Sequence, residues 1–210
     1  MKKRAKCLII TQGENSSHAI AGREMLRFSK RWEGQVITNM TLLTKETKLD
    51  DYDLIFNYCY EDTGVLDVLM PHCSRVIICI GDGFALGDKL GAYVRIPAQF
   101  GRIGYVSRDL YDYFSDDPNR QHLYLPHGVD TDLFSPMIGP DKHKKKKHFI
   151  IGFVGDDTIE SKRFDLANDI IHHDPDYMLM QPTDNTHEEM PDAYRFFDCL
   201  VVTSDIEAHL

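Results

Sequence analysis

Short apolar runs alternate with segments of helical periodicity along most of this chain. The runs read as strands because they are short and are bounded by polar or glycine-containing turns. In the first part of the chain they cover residues 6–11, 35–40, 53–60, 75–80, 103–106 and 122–125. Helical spacing occupies residues 18–32, 64–70 and 107–114, with Ser107 as the cap of the last helix. Apolar strands separated by helices predict an α/β fold, a doubly wound parallel sheet covered on both faces.

A second series of the same kind follows a basic run at residues 141–148. Residues 149–155, 177–180 and 199–203 are predicted strands, and residues 161–172 and 190–197 are predicted helices. We interpret the basic run, Asp-Lys-His-Lys-Lys-Lys-Lys-His, as a solvated linker, since like charges repel one another and resist packing. A phosphate- or membrane-binding patch is the alternative. The sequence thus predicts a first domain at 1–137, a linker at 138–148 and a second domain at 149–210.

Charge and composition exclude several classes of protein. The net charge of −9 argues against a general nucleic-acid binder. No apolar run approaches the ~20 residues that span a bilayer, and the basic start is followed by only four apolar residues, 7–10, which we interpret as a strand rather than a signal peptide. The five cysteines form no CxxC pair, so we expect buried, reduced thiols and a cytoplasmic location, with a position peripheral to a membrane as the variant.

Residues 125–136 carry the most distinctive segment, Leu-Pro-His-Gly-Val-Asp-Thr-Asp-Leu-Phe-Ser-Pro. Pro126 fixes φ and Gly128 tolerates a positive φ, so the chain can turn sharply beyond the carboxyl end of a strand. The segment resembles the Pro-Asn-Gly-Val-Asp-x-x-x-Phe motif of GT-B glycosyltransferases of the retaining, glycogen-synthase-like kind (glycosyltransferase family 4-like). In that family the motif closes the first domain and opens onto the cleft.

Three further segments resemble sequence motifs of the same family. They occur in the same order as in the family and at roughly the same spacing. Residues 149–165 resemble the segment in which a strand ends at a glycine and a lysine follows. Residues 190–204 are similar to the stretch Met-Pro-x-Tyr-x-x-x-Asp-x-x-x-x-x-Ser, and residues 204–207 resemble the start of the Glu-seven-residues-Glu motif. The resemblance implies a Rossmann-like acceptor-side domain followed by part of a Rossmann-like donor-side domain, an incomplete GT-B fold. It also implies transfer of a sugar, with retention, from a nucleoside-diphosphate sugar to an unknown acceptor.

On the donor side, the resemblance implies roles for Gly155, Lys162, Arg163 and Glu207. A glycine lets the backbone approach a diphosphate, and a lysine supplies a charge-assisted hydrogen bond and stabilises the leaving group. Arg163 could add positive charge, and Glu207 would accept hydrogen bonds from a donor hydroxyl as one of two catalytic candidates. The ordinary alternatives are a solvated lysine at a helix start and a surface carboxylate.

On the acceptor side, the candidates are Gly13, His18, Asp82 and His127. Gly13 follows the first predicted strand, His18 opens the next helix, and His127 stands where the family usually has asparagine. Asp82 lies between two glycines after a strand, a place where side chains commonly face a ligand, and is the second catalytic candidate. A turn glycine, a polar helix start and a plain Gly-Asp-Gly turn are the alternatives. The histidines show no metal-ligand pattern, so no metal and no cofactor beyond the donor substrate are expected.

Two departures from the family pattern keep a second hypothesis open. Asp156 and Asp157 stand where the family usually has an arginine, and the second glutamate of its motif would fall beyond residue 210. The alternative is therefore a non-catalytic glycosyltransferase-like binding or partner module. An incomplete second sheet also predicts an oligomer or a partner chain that covers it. A third hypothesis, an unrelated doubly wound nucleotide-binding enzyme, lacks a GxGxxG or Walker lysine loop.

Overall fold

The computed structural model describes residues 4–44, 47–81, 93, 95–135 and 147–204. The chain divides into two compact units, one that extends to Gly128 and one that starts at Val129. The division precedes the expected end of the first domain at residue 137. The expected linker at 138–148 lies, apart from its last two residues, outside the described part of the chain.

The first unit is built on one six-stranded, all-parallel sheet in the order β2-β1-β3-β4-β5-β6. Its strands are β1 (Ala5–Thr11), β2 (Trp32–Thr38), β3 (Leu54–Asn57), β4 (Val76–Ile80), β5 (Arg102–Tyr105) and β6 (Gln121–Tyr124). Its helices include α1 (Ser17–Phe28), α2 (Asn39–Thr44), α3 (Thr63–Leu69) and α4 (Arg108–Phe114). The mixed α/β class expected from the sequence is confirmed, and the sheet is compatible with a Rossmann-like fold.

Three central strands carry the core of the first unit. All five residues of β4 are buried, and residues 7–11 of β1 are buried as well. Aligned rows of aliphatic side chains cross the sheet, since Ile55 of β3 pairs in register with Leu8 on one side and Val76 on the other. Burial of each such side chain stabilises the fold by about 1.5–3 kcal/mol. This continuous burial on both faces explains why the strands read as uninterrupted apolar runs.

Polar caps set where the helices begin. The Ser16 hydroxyl accepts a hydrogen bond from the Ala19 amide at 3.2 Å, and the Ser107 hydroxyl accepts one from the Leu110 amide at 3.3 Å. The cap predicted at Ser107 is confirmed. The predicted helix over 18–32 is too long, because α1 ends at Phe28 and Trp32 begins β2. The cause is Ser29, whose hydroxyl accepts the Trp32 amide at 2.9 Å and turns the chain into the strand.

The second unit contains a three-stranded parallel sheet in the order β8-β7-β9. Its strands are β7 (Phe149–Phe153), β8 (Tyr177–Met180) and β9 (Cys199–Val201), and its helices are α5 (Phe164–Ile171) and α6 (Met190–Phe196). The predicted helix over 161–172 is split, because Arg163 adopts a left-handed conformation with φ of 50° after a 3-10 turn, Glu160–Lys162. Met178 and Met180 of β8 and Leu200 of β9 are exposed apolar residues on the outer strands of this described sheet.

The segment after Gly128 is fixed to the second unit by Arg195. The Arg195 guanidinium donates to the Ser135 carbonyl at 3.2 Å and to the Leu133 carbonyl at 3.3 Å. The Phe134 ring lies 5.2 Å from the His187 ring and 6.1 Å from the Tyr194 ring. These contacts assign the segment from residue 129 to residue 135 to the second unit.

Burial of the cysteines predicts an order of thiol reactivity. Cys7, Cys59 and Cys79 are buried, whereas Cys199 is exposed. Burial also raises the pKa of Cys7 to about 12, so its reactive thiolate is scarce at neutral pH. With iodoacetamide at about pH 8, we expect alkylation of Cys199 first and of the three buried thiols only after denaturant is added, as followed by peptide mass mapping. Alkylation of Cys7 at the rate of Cys199 in the native protein would contradict the buried position of β1.

No helix within the described ranges is long and apolar enough to cross a bilayer.

Candidate functional sites

The first candidate site lies at the carboxyl edge of the six-stranded sheet, the edge at which the carboxyl ends of its parallel strands meet. The chain runs from β1 outward to β2 and then returns past β1 to β3, so the direction of strand order reverses between β1 and β3. In open parallel sheets this reversal opens a crevice in which ligands bind. A ligand of this unit is therefore expected beside the residues that follow β1 and β3.

His18, Tyr58 and His127 come together at this edge, and we call them the ring cluster. The imidazole of His18 stacks on the Tyr58 ring, with centroids 4.6 Å apart and an angle of 24° between the planes. The His127 ring meets that of His18 edge-on at 5.6 Å and lies 6.1 Å from that of Tyr58. Two of the four acceptor-side candidates, His18 and His127, are thus neighbours.

Each member of the ring cluster is held by a different element. His18 is the second residue of α1, whose first turn is capped by Ser16. Tyr58 directly follows β3, and its amide donates to the Ile10 carbonyl at 2.9 Å. His127 follows β6 by three residues, in an irregular segment that shows no turn where Pro126 and Gly128 predicted one. The cluster therefore joins connections that are far apart in sequence and adjacent only because the strands are parallel.

Gly81 provides the space for His18. It is the first residue after β4, and a Cβ atom placed on it would overlap Nε2 of the His18 ring. Its φ is not in the left-handed region, so the close approach of the ring, rather than backbone conformation, is the reason for glycine here. Asp82, the next residue and a catalytic candidate, lies outside the described residues.

Tyr58 is the residue of this site that sequence reasoning missed. Burial raises the pKa of Tyr58, and the neighbouring Cys79 on β4 raises it further. The signal that could have found it is its position directly after a strand, the same argument that selected Asp82. The strand predicted over 53–60 extends past Tyr58, whereas β3 ends at Asn57.

Gly13 lies in the turn that leads from β1 to α1. Its carbonyl accepts hydrogen bonds from the Ser16 hydroxyl at 2.9 Å and from the Thr11 hydroxyl at 3.2 Å. A Cβ atom on Gly13 would meet nothing within 4 Å. Beside this turn is a cleft of about 350 Å³ whose lining includes Thr11, Glu14 and Arg23. Gly13 shapes the turn, and the space around it is open to a ligand.

The second candidate site lies at the carboxyl edge of the three-stranded sheet. There β7 is central, so strand order reverses beside it, and the loop after β7 holds Gly155 and Lys162. A Cβ atom placed on Gly155 would lie 3.8 Å from Cδ of Lys162, so the lysine stem passes over the glycine. The Lys162 carbonyl accepts the Thr203 hydroxyl at 2.8 Å, and the Gly155 carbonyl accepts the Gln181 side-chain amide at 3.0 Å. Residues that follow all three strands are thereby tied together.

The Arg163 guanidinium forms an ion pair with a carboxylate close to it in sequence. Its Nε and Nη2 atoms each donate to Asp165, both at 3.1 Å, and this pairing lowers the pKa of Asp165. The neighbouring Asp156 accepts from the Thr158 hydroxyl at 2.6 Å and from its amide at 2.9 Å, which lowers the pKa of Asp156. Both carboxylates are thus ionised and locally bonded, and the positive charge expected from Arg163 is matched by Asp165.

A shallow depression of about 770 Å³ follows the same loop. Its lining carries three carboxylates, from Asp157, Glu160 and Asp165, and the Arg163 guanidinium. An anionic ligand is therefore better placed over Gly155 and Lys162 than in this depression. Glu207, the other catalytic candidate, lies outside the described residues.

Within the described ranges, no group of three or more His, Cys, Asp or Glu side chains is arranged to hold a metal ion. The chain matches no protein-family model and no curated protein sequence.

Proposed function

We propose that this protein is a retaining glycosyltransferase of the GT-B type, which moves a sugar from a nucleoside-diphosphate sugar to an acceptor. In this proposal the donor diphosphate binds at the carboxyl edge of the three-stranded sheet, and the ring cluster belongs to the acceptor side. Resemblance of four segments in family order supports the proposal, as does the presence of a parallel α/β sheet in each unit.

The observation that carries the proposal is the position of Lys162 over Gly155 at the point where strand order reverses. Ligands of parallel sheets bind at such points, and a diphosphate requires both close backbone approach and positive charge. Gly155 allows the close backbone approach, and the Lys162 ammonium group supplies the positive charge. The hydrogen bond from Thr203 to the Lys162 carbonyl holds the backbone from which the lysine side chain extends.

Catalysis in such a site would consist of orientation and charge stabilisation. When the bond between the sugar and the diphosphate breaks, negative charge builds on the leaving diphosphate, and a fixed ammonium group stabilises that charge more than the ground state. The side chains of Asp156 and Asp157 act in the opposite direction. Because both carboxylates are exposed, solvent screens them, and we expect them to weaken donor binding rather than abolish it.

The test is donor binding by a Lys162→Ala variant. Loss of one charge-assisted hydrogen bond is expected to weaken binding of uridine- or guanosine-diphosphate sugars about 10- to 100-fold. Isothermal titration calorimetry with the wild-type chain and the variant measures this ratio. Lys30→Ala is the matched control, since Lys30 is exposed and belongs to the first unit. Equal affinity of wild type and Lys162→Ala would refute the donor-site assignment.

A non-catalytic binding module is the second candidate function. The family usually has an arginine where Asp156 and Asp157 stand. The observation that favours the module is the pairing of Arg163 with Asp165, because a paired Arg163 does not replace that positive charge. The two functions differ in turnover. Release of nucleoside diphosphate from the sugar nucleotide supports the transferase, and Lys162-dependent binding without any release supports the module.

A further inference from the structure

We propose that Tyr58 is a positioning residue that holds the imidazole of His18 in one orientation at the carboxyl edge of the six-stranded sheet. The inference rests on the proposed function, in which His18 lies on the acceptor side, and it adds a residue that family resemblance does not indicate. It is carried by the stacking of the two rings, the attachment of the Tyr58 backbone to β1, and the space left by Gly81.

Tyr58 is fixed before any ligand arrives. Its amide continues the β1–β3 ladder by donating to Ile10, so its backbone cannot move independently of the sheet. Burial raises the pKa of Tyr58, and the buried Cys79 on β4 is near enough to raise it further. The Tyr58 ring is thus enclosed beside β4, on a backbone that the ladder holds in place.

His18 is enclosed by this ring and two further contacts. One face of the imidazole lies on the Tyr58 ring, and the His127 ring approaches it edge-on. Its Nε2 atom lies against Gly81, where any side chain would displace it. The backbone of His18 is fixed as well, because it belongs to the capped first turn of α1. The imidazole therefore has little freedom to rotate.

A fixed orientation of the imidazole affects the reaction rate if His18 contacts a substrate. A side chain already in its working orientation loses no rotational freedom when the substrate binds, and misplacement by about 1 Å can cost about two orders of magnitude in rate. Tyr58 would act through His18 rather than on the substrate. Its effect should therefore fall on turnover and leave donor affinity, which we assign to the second unit, unchanged.

Four variants test the inference. Tyr58→Phe keeps the stacked ring and removes only the hydroxyl, whereas Tyr58→Leu removes the ring. Gly81→Ala keeps Tyr58 but pushes His18 from its place. Gly101→Ala is the matched control, because a Cβ atom there would meet nothing within 4 Å. A cooperative thermal unfolding transition in each of the four variants would show that the proteins compared are folded.

The direct measurement is the NMR spectrum of the His18 ring protons. Stacking on Tyr58 shifts these resonances, and we expect the shift to survive in Tyr58→Phe and Gly101→Ala and to be lost in Tyr58→Leu and Gly81→Ala. In parallel, release of nucleoside diphosphate from a sugar nucleotide should show kcat lowered about tenfold in Tyr58→Leu and Gly81→Ala, with donor KM within about twofold of wild type. Tyr58→Phe should retain most of the turnover.

Two results would overturn the inference: His18 resonances that are the same in Tyr58→Leu and Tyr58→Phe, or a kcat that is unchanged in a folded Tyr58→Leu variant. If the wild-type chain releases no nucleoside diphosphate, the proposed transferase fails, and the His18 spectrum alone decides whether Tyr58 positions the imidazole.

Discussion

Replacement of Tyr105 by alanine is expected to lower the free energy of unfolding of the first unit by about 4 kcal/mol, within the range of buried aromatic truncations. Tyr105 ends β5 and is 0% exposed. Its ring stacks 6.0 Å from that of Phe114 on α4 and 5.8 Å from that of His122 on β6. Truncation would leave a cavity between sheet and helix that the surrounding strands cannot close.

The Tyr105 hydroxyl adds a hydrogen bond to this packing. It lies 2.9 Å from Nδ1 of His122, whose Nε2 atom lies 2.9 Å from the Asp117 carbonyl. A carbonyl only accepts, so Nε2 carries the proton, and Nδ1 accepts from the tyrosine. Burial raises the pKa of Tyr105, so the hydroxyl remains a donor.

Chemical denaturation monitored by circular dichroism measures the effect, and two variants calibrate it. Tyr105→Phe should cost only about 1 kcal/mol, the contribution of the hydrogen bond. Tyr113→Ala, at a ring that is 51% exposed on α4, should cost less than Tyr105→Ala by at least about 2 kcal/mol. Equal losses for Tyr105→Ala and Tyr113→Ala would mean that β5 is not part of the core.

Replacement of Gly152 by alanine is expected to destabilise the second unit by about 3 kcal/mol. Gly152 is buried in β7, and a Cβ atom on it would overlap the ring of Phe197, which follows α6. Relief would require the ring to leave its place, and overpacking of this kind costs about 1–3 kcal/mol or more. Because the chain divides into two compact units, we expect the change in one of two unfolding transitions.

A double-mutant cycle isolates this contact. In a Phe197→Ala background the clash disappears, so Gly152→Ala should then cost less than about 1 kcal/mol. A matched Gly101→Ala variant, with nothing within 4 Å of its added methyl group, should leave both transitions unchanged. If Gly152→Ala is equally costly with and without Phe197, the ring is not what requires glycine.

The secondary structure was largely predictable because its signals are local. The strand predicted at 177–180 matches β8 residue for residue, and Ser107 caps α4 as its sequence context indicated. The prediction was wrong at Trp32, where apolar spacing continued past the helix while the Ser29 hydroxyl turned the backbone into β2. It was wrong again at Arg163, because helical spacing does not reveal a left-handed residue.

The candidate sites were predictable only in part. Gly13, His18 and His127 could be named one at a time, but the contact of His18 with His127 depends on strand order, which a sequence without homologues does not reveal. Tyr58 was missed because its strand was predicted to be longer than β3 is. The Arg163–Asp165 pair was not predictable either, because residues two apart in the predicted helix do not face each other and Arg163 is in fact left-handed.

The hydrogen bonds from Arg195 to the carbonyls of residues 133 and 135 decide where a fragment for separate expression should begin. A fragment meant to encode the second unit should begin at Val129 rather than at Phe149. A start at Phe149 would deprive the Arg195 guanidinium of both its carbonyl acceptors and would expose the Tyr194 ring that Phe134 covers. The shorter fragment would thus lose residues 133–135, which pack against helix α6 in the second unit.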